Sequence, residues 1–175
     1  MARVELLEDY GPEAATLVDR IKRRRPGALL KLYKVLLHSP TLAETWFDHL
    51  GAVRWKTDLS GRLRELVIIR IALLHSVHYV LDQHVPTLAE ADGVTREECE
   101  ALKSWQDSRY FDAAERAALA YAEAMTRTTD VADAVFAALK PHFSEKQIVD
   151  LTVLIATYNM HIRVVNALRI EPEDA

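Results

Sequence analysis

The chain has 175 residues, half of them hydrophobic, a formal net charge of −4, five Gly, six Pro and a single cysteine, Cys99. That is enough chain for one core without metal or disulfide staples, and too little Gly and Pro for long disordered stretches. The acidic balance speaks against general nucleic-acid binding, and a lone cysteine rules out an internal disulfide and fits a reducing cytoplasm.

No basic-then-apolar leader opens the sequence, and the longest apolar run is broken by Arg70 and short for a bilayer span. A soluble, cytoplasmic protein without a membrane partner is therefore expected. After Pro12, apolar and charged residues alternate at helical spacing as far as the basic run Lys22-Arg23-Arg24-Arg25. This run reads first as a solvated helix end whose charges suit the negative pole of the macrodipole, and second as a phosphate patch. Pro26 fits the first turn of a second helix, GALLKLYKVLLH, with Leu29, Leu32, Tyr33, Leu36 and Leu37 on one stripe. Ser39-Pro40 reads as a cap and first helical residue, opening a third helix with Trp46, Phe47 and Leu50 as core contacts.

The stretch LSGRLRELVIIRIALLHSVHYVLDQHVPTLAEAD, from Leu59 to Asp92, joins the longest apolar run to the densest histidine cluster. Ser60 is placed to cap a helix that is apolar on nearly all sides and so belongs at the centre of the molecule. A turn near His75 and Ser76 leads into a second helix, which makes a central antiparallel hairpin. Glu65 lies about ten residues before the turn and His84 about eight after it, and at roughly 1.5 Å rise per residue the two come to nearly the same height. A carboxylate facing an imidazole in an apolar bundle is an acid/base candidate. Pro86 cannot supply an N–H to the Asp82 carbonyl, so the helix is expected to kink beside His84.

Gly93 suits a left-handed C-cap, and Thr95 with Glu98 forms a capping box opening the helix around Cys99. Asp112 starts an alanine-rich helix, Asp130 is placed to cap VADAVFAALKPHF, and Ser144 with Gln147 forms another capping box before the long final helix. No segment alternates like a strand, so the fold is expected to be all-α: one domain over 1–175, with a core over 36–168 and an N-terminal helical extension over 1–35.

Together, residues Leu59–Trp105 and FSEKQIVDLTVLIATYNMHIRVVNAL resemble the carboxymuconolactone decarboxylase family. The resemblance covers roughly residues 36–168. It implies an all-helical domain of the alkylhydroperoxidase-D-like type, bacterial and cytoplasmic, assembled as a trimer or hexamer. The peroxidase branch carries a glutamate, then C-x-x-C and, after three further residues, a histidine. Glu65 and His84 match the outer pair by spacing, while Val77 and Val80 stand at the cysteine positions. Valine supplies neither a thiolate nor a resolving partner, so thiol-based hydroperoxide reduction loses its chemistry. The decarboxylase branch commonly reads Y-E-W-x-x-H here; Tyr79 and His84 match, and Val80 and Leu81 replace the Glu-Trp pair.

The expected chemistry is thus cofactor-independent proton transfer on a small organic acid or lactone, with Glu65 and His84 as catalytic residues. Tyr79, His78 and Arg70 are the candidate substrate-binding residues, arginine being suited to clamp a carboxylate. Arg163 is a lesser candidate for the same task, while Tyr158 and Asn159 read as packing or assembly residues and His75 as a helix-end cation. A metal held by Glu65, His78, Asp82 and His84 is the sharper alternative, although neither H-E-x-x-H nor paired E-x-x-H is present. A non-catalytic binding or assembly module on the same fold, and a peroxidase working by an unusual route, remain the other readings.

Overall fold

The computed structural model describes residues 2–25 and 27–173, with Pro86 described by its backbone alone. Among these residues all regular structure is helical: α1 (Gly11–Arg24), α2 (Lys31–Leu36), α3 (Pro40–Trp55), α4 (Gly61–His75), α5 (His78–Gln83), a π-helical turn (His84–Leu88), α6 (Ala89–Ala91), α7 (Arg96–Ala101), a 3₁₀ segment (Leu102–Asp107), α8 (Ala113–Arg127), α9 (Asp133–Ala137) and α10 (Glu145–Leu168).

Helix α4 is the axis of the bundle. Leu66, Val67, Ile68, Ile71 and Ala72 are sealed from solvent, and α4 packs against both α8 and α10. The sequence dictates this position, because a helix with no polar stripe has no face to offer to water. Ser60 caps it by accepting a hydrogen bond from the Leu63 N–H, and Ser76, in the left-handed region at φ 55°, ends it. The Val77 N–H then bonds the Ala72 carbonyl and turns the chain into α5, which completes the expected hairpin.

Gly93 has a positive φ of 77°, and the Thr95–Glu98 and Ser144–Gln147 capping boxes are both formed. A further box joins Asp112 to Glu115. Two of these capping glutamates also serve tertiary structure: Arg62 of α4 donates to Glu98 at 2.7 Å and to Glu115 at 2.7 Å, tying α7 and α8 to the central helix.

Several local expectations are corrected. The second helix is a short piece, Lys31–Leu36, while Leu29 and Leu37 are buried outside it. Ser39 makes no side-chain cap bond. Asp130 caps nothing, because α9 starts at Asp133 after Ala132; the Asp130 carbonyl instead accepts from the Thr128 hydroxyl. The expected role of Pro26 lies outside the described residues. Helix α10 is long and apolar enough to cross a bilayer, but more than half of that stretch is buried within the bundle, as a core helix requires.

The segment before α3 has its own cluster, in which Leu17, Val18 and Ile21 of α1 pack with Tyr33 and with Phe47 of α3. The basic run is therefore not wholly solvated: the Arg24 guanidinium lies 4.7 Å from the Phe47 ring centre and 5.5 Å from that of Trp55, and Arg25 donates to Gln83 at 2.7 Å. Gly51 makes room for Arg24, since a Cβ there would lie 2.2 Å from a guanidinium nitrogen.

Truncation at the axis and loss of its cap separate two contributions. Ile68→Ala should lower unfolding free energy by about 2–5 kcal/mol through the cavity it leaves, whereas Ser60→Ala should cost about 1 kcal/mol. Urea denaturation of the two variants measures both, and a near-neutral Ile68→Ala would remove α4 from the centre of the core.

Candidate functional site

Glu65 has no solvent exposure and His84 is 4% exposed, yet both are ionisable. They meet across the hairpin as their spacing requires, His84 Nδ1 lying 2.5 Å from Glu65 Oε2. The other carboxylate oxygen faces Arg54 Nη2 at 3.2 Å and Arg64 Nε at 3.4 Å. Arg64 in turn bonds Asp92 and the Arg54 carbonyl. The carboxylate thus sits among three donors, the arrangement a buried anion needs.

The π-helical turn begins at His84 itself, with the Ala89 N–H bonding the His84 carbonyl. This is the form taken by the kink expected from Pro86: without its N–H the ladder slips by one residue, and the extra residue in the turn re-aims what precedes it.

Burial raises the Glu65 carboxyl, but the hydrogen bond and charge of His84, with Arg54 and Arg64, outweigh it and hold the group below its ordinary value. Burial also dominates at His84, and Arg54 and Arg64 add to it; against the opposing pull of Glu65 they keep the imidazole below its usual value. At neutral pH the pair is a carboxylate and a neutral imidazole. A carboxylate only accepts, so the ring proton sits on Nδ1, and Nε2 carries the lone pair.

His84 lines a cavity of about 320 Å³ together with Arg54, Tyr79, Val80, Tyr158 and His161. Its outer wall is Arg24, Arg25, Tyr33, Phe47, Gly51 and Trp55. The Tyr158 hydroxyl accepts from Arg54 Nη1 at 3.3 Å, and its ring stands edge-on to His84 at 5.7 Å. The Tyr79 hydroxyl is buried and makes no well-formed hydrogen bond among the described residues, the Leu32 backbone being the polar group beside it. The site is an apolar, aromatic chamber with a base at one wall and guanidinium groups around it.

Two expected substrate contacts fall elsewhere. Arg70 is held by Glu123 at 2.8 Å and the Leu102 carbonyl at 3.0 Å, on the far side of α4. His78 lines a separate, more open cleft with Asp82 and Cys99. The four residues considered for a metal therefore divide between two places, and no group of three His, Cys, Asp or Glu gathers for an ion among the described residues. Asn159 and His75 bond each other at 3.0 Å, and Arg163 bonds Asn159, so these form a local network rather than a substrate clamp. Cys99 is buried, and burial pushes its thiol up to about 11. Arg54, Tyr158 and His161 are the cavity residues that sequence reasoning missed or set aside. The one available signal was the three-residue spacing of Tyr158 and His161, which puts both on one face of α10.

The profile of the carboxymuconolactone decarboxylase family matches residues 40–124, which hold α3, the Glu65–His84 hairpin and most of α8. That match spans just under half of the chain and supports a divergent member of this family, with Val77 and Val80 where the peroxidase branch has its C-x-x-C pair. Among relatives, the uncharacterized protein YdfG of Bacillus subtilis is 26% identical over 111 residues, spanning 62% of this chain and 75% of its own length. The uncharacterized protein YnjA of Escherichia coli is 33% identical over 118 residues, spanning 67% of this chain; the match covers 64% of YnjA, a little under two thirds. Among solved structures, an uncharacterized peroxidase-related protein of Silicibacter sp. TM1040 superposes with a TM-score of 0.83 at 18% identity, covering 98% of this chain and 92% of that one. The debrominase Bmp8, solved with 2,3,4-tribromopyrrole, gives 0.82 at 19%, covering 99% and 92%. These structural likenesses establish the alkylhydroperoxidase-D-like all-α fold.

The charge states carry a pH prediction. Burial holds His161 down to about 4 against an ordinary 6.5, and it holds His84 down as well. The unfolded chain takes up these protons at a higher pH than the folded one, so stability is complete above about 6.5 and declines as the pH falls toward about 4. Glu65, also depressed, adds a loss that begins only below its unfolded value. His161→Gln should flatten the decline between about pH 6.5 and pH 4, as read from urea midpoints; an unchanged slope would contradict the neutral assignment.

Proposed function

We propose that this family member catalyses cofactor-independent proton transfer on a small organic acid or lactone, with His84 as general base and Glu65 as the carboxylate that orients it. The observation carrying this reading is the Glu65–His84 bond at 2.5 Å on the wall of a largely apolar cavity, because it commits Nδ1 and leaves Nε2 for a substrate proton. Arg24, Arg25 and Arg54 supply positive charge for a carboxylate, and Tyr79 offers a buried hydroxyl. Decarboxylation and isomerisation both begin from such a geometry. The valines at the family's cysteine positions, and a Cys99 thiol raised by burial in the other cleft, weigh against the peroxidase route.

The protein is further read as a cytoplasmic homo-oligomer. Val149, Val153 and Met160 expose a stripe along α10, and Leu42 and Trp55 are exposed on the adjoining α3. Val153→Arg should lower the sedimentation coefficient of the assembly; an unchanged value would place the interface elsewhere.

The catalytic reading is tested with muconolactone and levulinate in deuterated water. Wild-type protein should accelerate deuterium incorporation next to a carbonyl, and His84→Ala should reduce the rate by about 10²–10⁴-fold while thermal unfolding stays cooperative. A wild-type protein that binds these acids without exchange would favour a binding module on the same fold.

A further inference from the structure

His161 takes no part in the Glu65–His84 pair, yet it borders the same cavity from α10, one turn beyond Tyr158. It is 8% exposed, and three rings hold it in a tilted stack: Trp46 at 5.8 Å, Tyr158 at 5.7 Å and Tyr79 at 6.5 Å between centres. Its Nδ1 is sealed from solvent and has no hydrogen-bond partner among the described residues. Packing alone would be served by a phenylalanine, which brings no orphaned nitrogen into the core.

The sealed Nδ1 fixes the tautomer. A buried N–H without an acceptor is among the rarest features of folded proteins, whereas an unused lone pair is better tolerated. The proton therefore belongs on Nε2, and the ring's exchange with the cavity runs through that atom. Among the described residues no carboxylate acts on His161 to favour a cation. The titratable and charged groups around it are His84 on the π turn, Tyr79 on α5, Tyr158 on its own helix and Arg54 on α3, and burial, His84 and Arg54 all act to keep the ring neutral.

Resting on the proton-transfer reading above, we propose that His161 is the cavity's second working imidazole: protonated on Nε2, it donates a hydrogen bond to the carbonyl oxygen of the substrate whose adjacent C–H proton His84 removes. The two rings offer complementary groups, a lone pair from His84 and an N–H from His161. Their joint substrate is a small carbonyl compound with an acidic C–H beside the C=O and an anionic end that meets Arg24 and Arg25. In the step, the C–H bond breaks and its proton joins His84 Nε2. The electron pair moves into the C–C bond, and the carbonyl becomes an enolate oxygen held by His161 Nε2–H. Where the substrate also carries a C=C β,γ to the carbonyl, return of the same proton to the γ-carbon completes a double-bond shift with no change of oxidation state; without one, return to the same carbon gives exchange alone. A neutral imidazole suits this task, because its N–H is a closer match in acidity to an enol than an imidazolium would be.

The test has three arms, all on the full chain. In ¹⁵N-histidine-labelled protein, with His161→Gln for assignment, His161 should stay a neutral Nε2–H tautomer from about pH 7.5 to pH 5.5; an Nδ1–H tautomer or a protonated ring overturns the proposal whatever His84 does. In the exchange assay, His161→Phe should lower kcat by about 10²–10³-fold with little change in KM, while His161→Gln, which keeps a donor, should retain most of it. Equal loss in both folded variants overturns the proposal. Levulinate and pentanoate, alike but for the ketone, separate this inference from its foundation. Levulinate alone should shift the His161 Nε2 resonance, even if His84→Ala proves the base reading wrong. Equal shifts, or none, overturn the role of His161.

Discussion

A carboxylate with no access to water is the constraint around which this molecule is arranged. Glu65 stands on a central helix that is apolar on nearly all sides, where no water reaches it. Its charge survives because donors arrive from three directions: Arg54 from the end of α3, Arg64 from the neighbouring position, and His84 from the return arm of the hairpin. Removing one partner of such a group typically costs about 3–5 kcal/mol, while a hydrophobic replacement of the whole set is often neutral. A set this costly to keep in register adds little net stability.

The local structure then follows from what the carboxylate needs. His84 must present Nδ1 to Glu65 and still keep its ring edge on the cavity, and a regular helix leading into Pro86 would lose a backbone bond beside it without changing its aim. The π turn inserts the additional residue at that point. Arg64 is held in turn by Asp92, just before the left-handed Gly93 that ends α6, so the end of the hairpin is tied back to the start of α4. Helix α1 and the basic residues after it close the other side of the cavity through the Arg24 stack on Phe47 and Trp55. The N-terminal extension thereby belongs to the site and is more than an appendage to it.

What the sequence made legible was local or set by helical geometry. Caps at Ser60, Thr95 and Ser144 depend on residues three apart, and the Glu65–His84 meeting depends on equal lengths either side of one turn. Arg70 and His78 lie away from the Glu65–His84 cavity for the same geometric reason. Arg70 lies five residues after Glu65, about 140° around the helix, which points it at Glu123 and away from the cavity. His78 is six residues before His84 and faces the open cleft beside Asp82. Asp130 and the second helix failed because short helices are set by tertiary packing more than by their own signals. Arg54 and His161 were illegible in a stronger sense, since each reaches the site from a helix separate in sequence, and only the packing of α10 on α4 and of α3 on α10 brings them there.

The substitution of valine for cysteine acquires a physical meaning from the same arrangement. Val80 lines the cavity and Val77 is buried behind the turn, so both side chains occupy the space where a thiol pair would act and fill it with hydrocarbon. The outer residues of that motif are kept, and they are the ones that need no electron acceptor to work. Apolar walls lower the local dielectric, which strengthens the Glu65–His84 interaction and every hydrogen bond offered to a ligand in the same chamber. A thiol site with its cysteines removed would be expected to decay into ordinary core, with its charges replaced. Here the charges, their donors and the cavity occur together, so the valines have not made this place ordinary core.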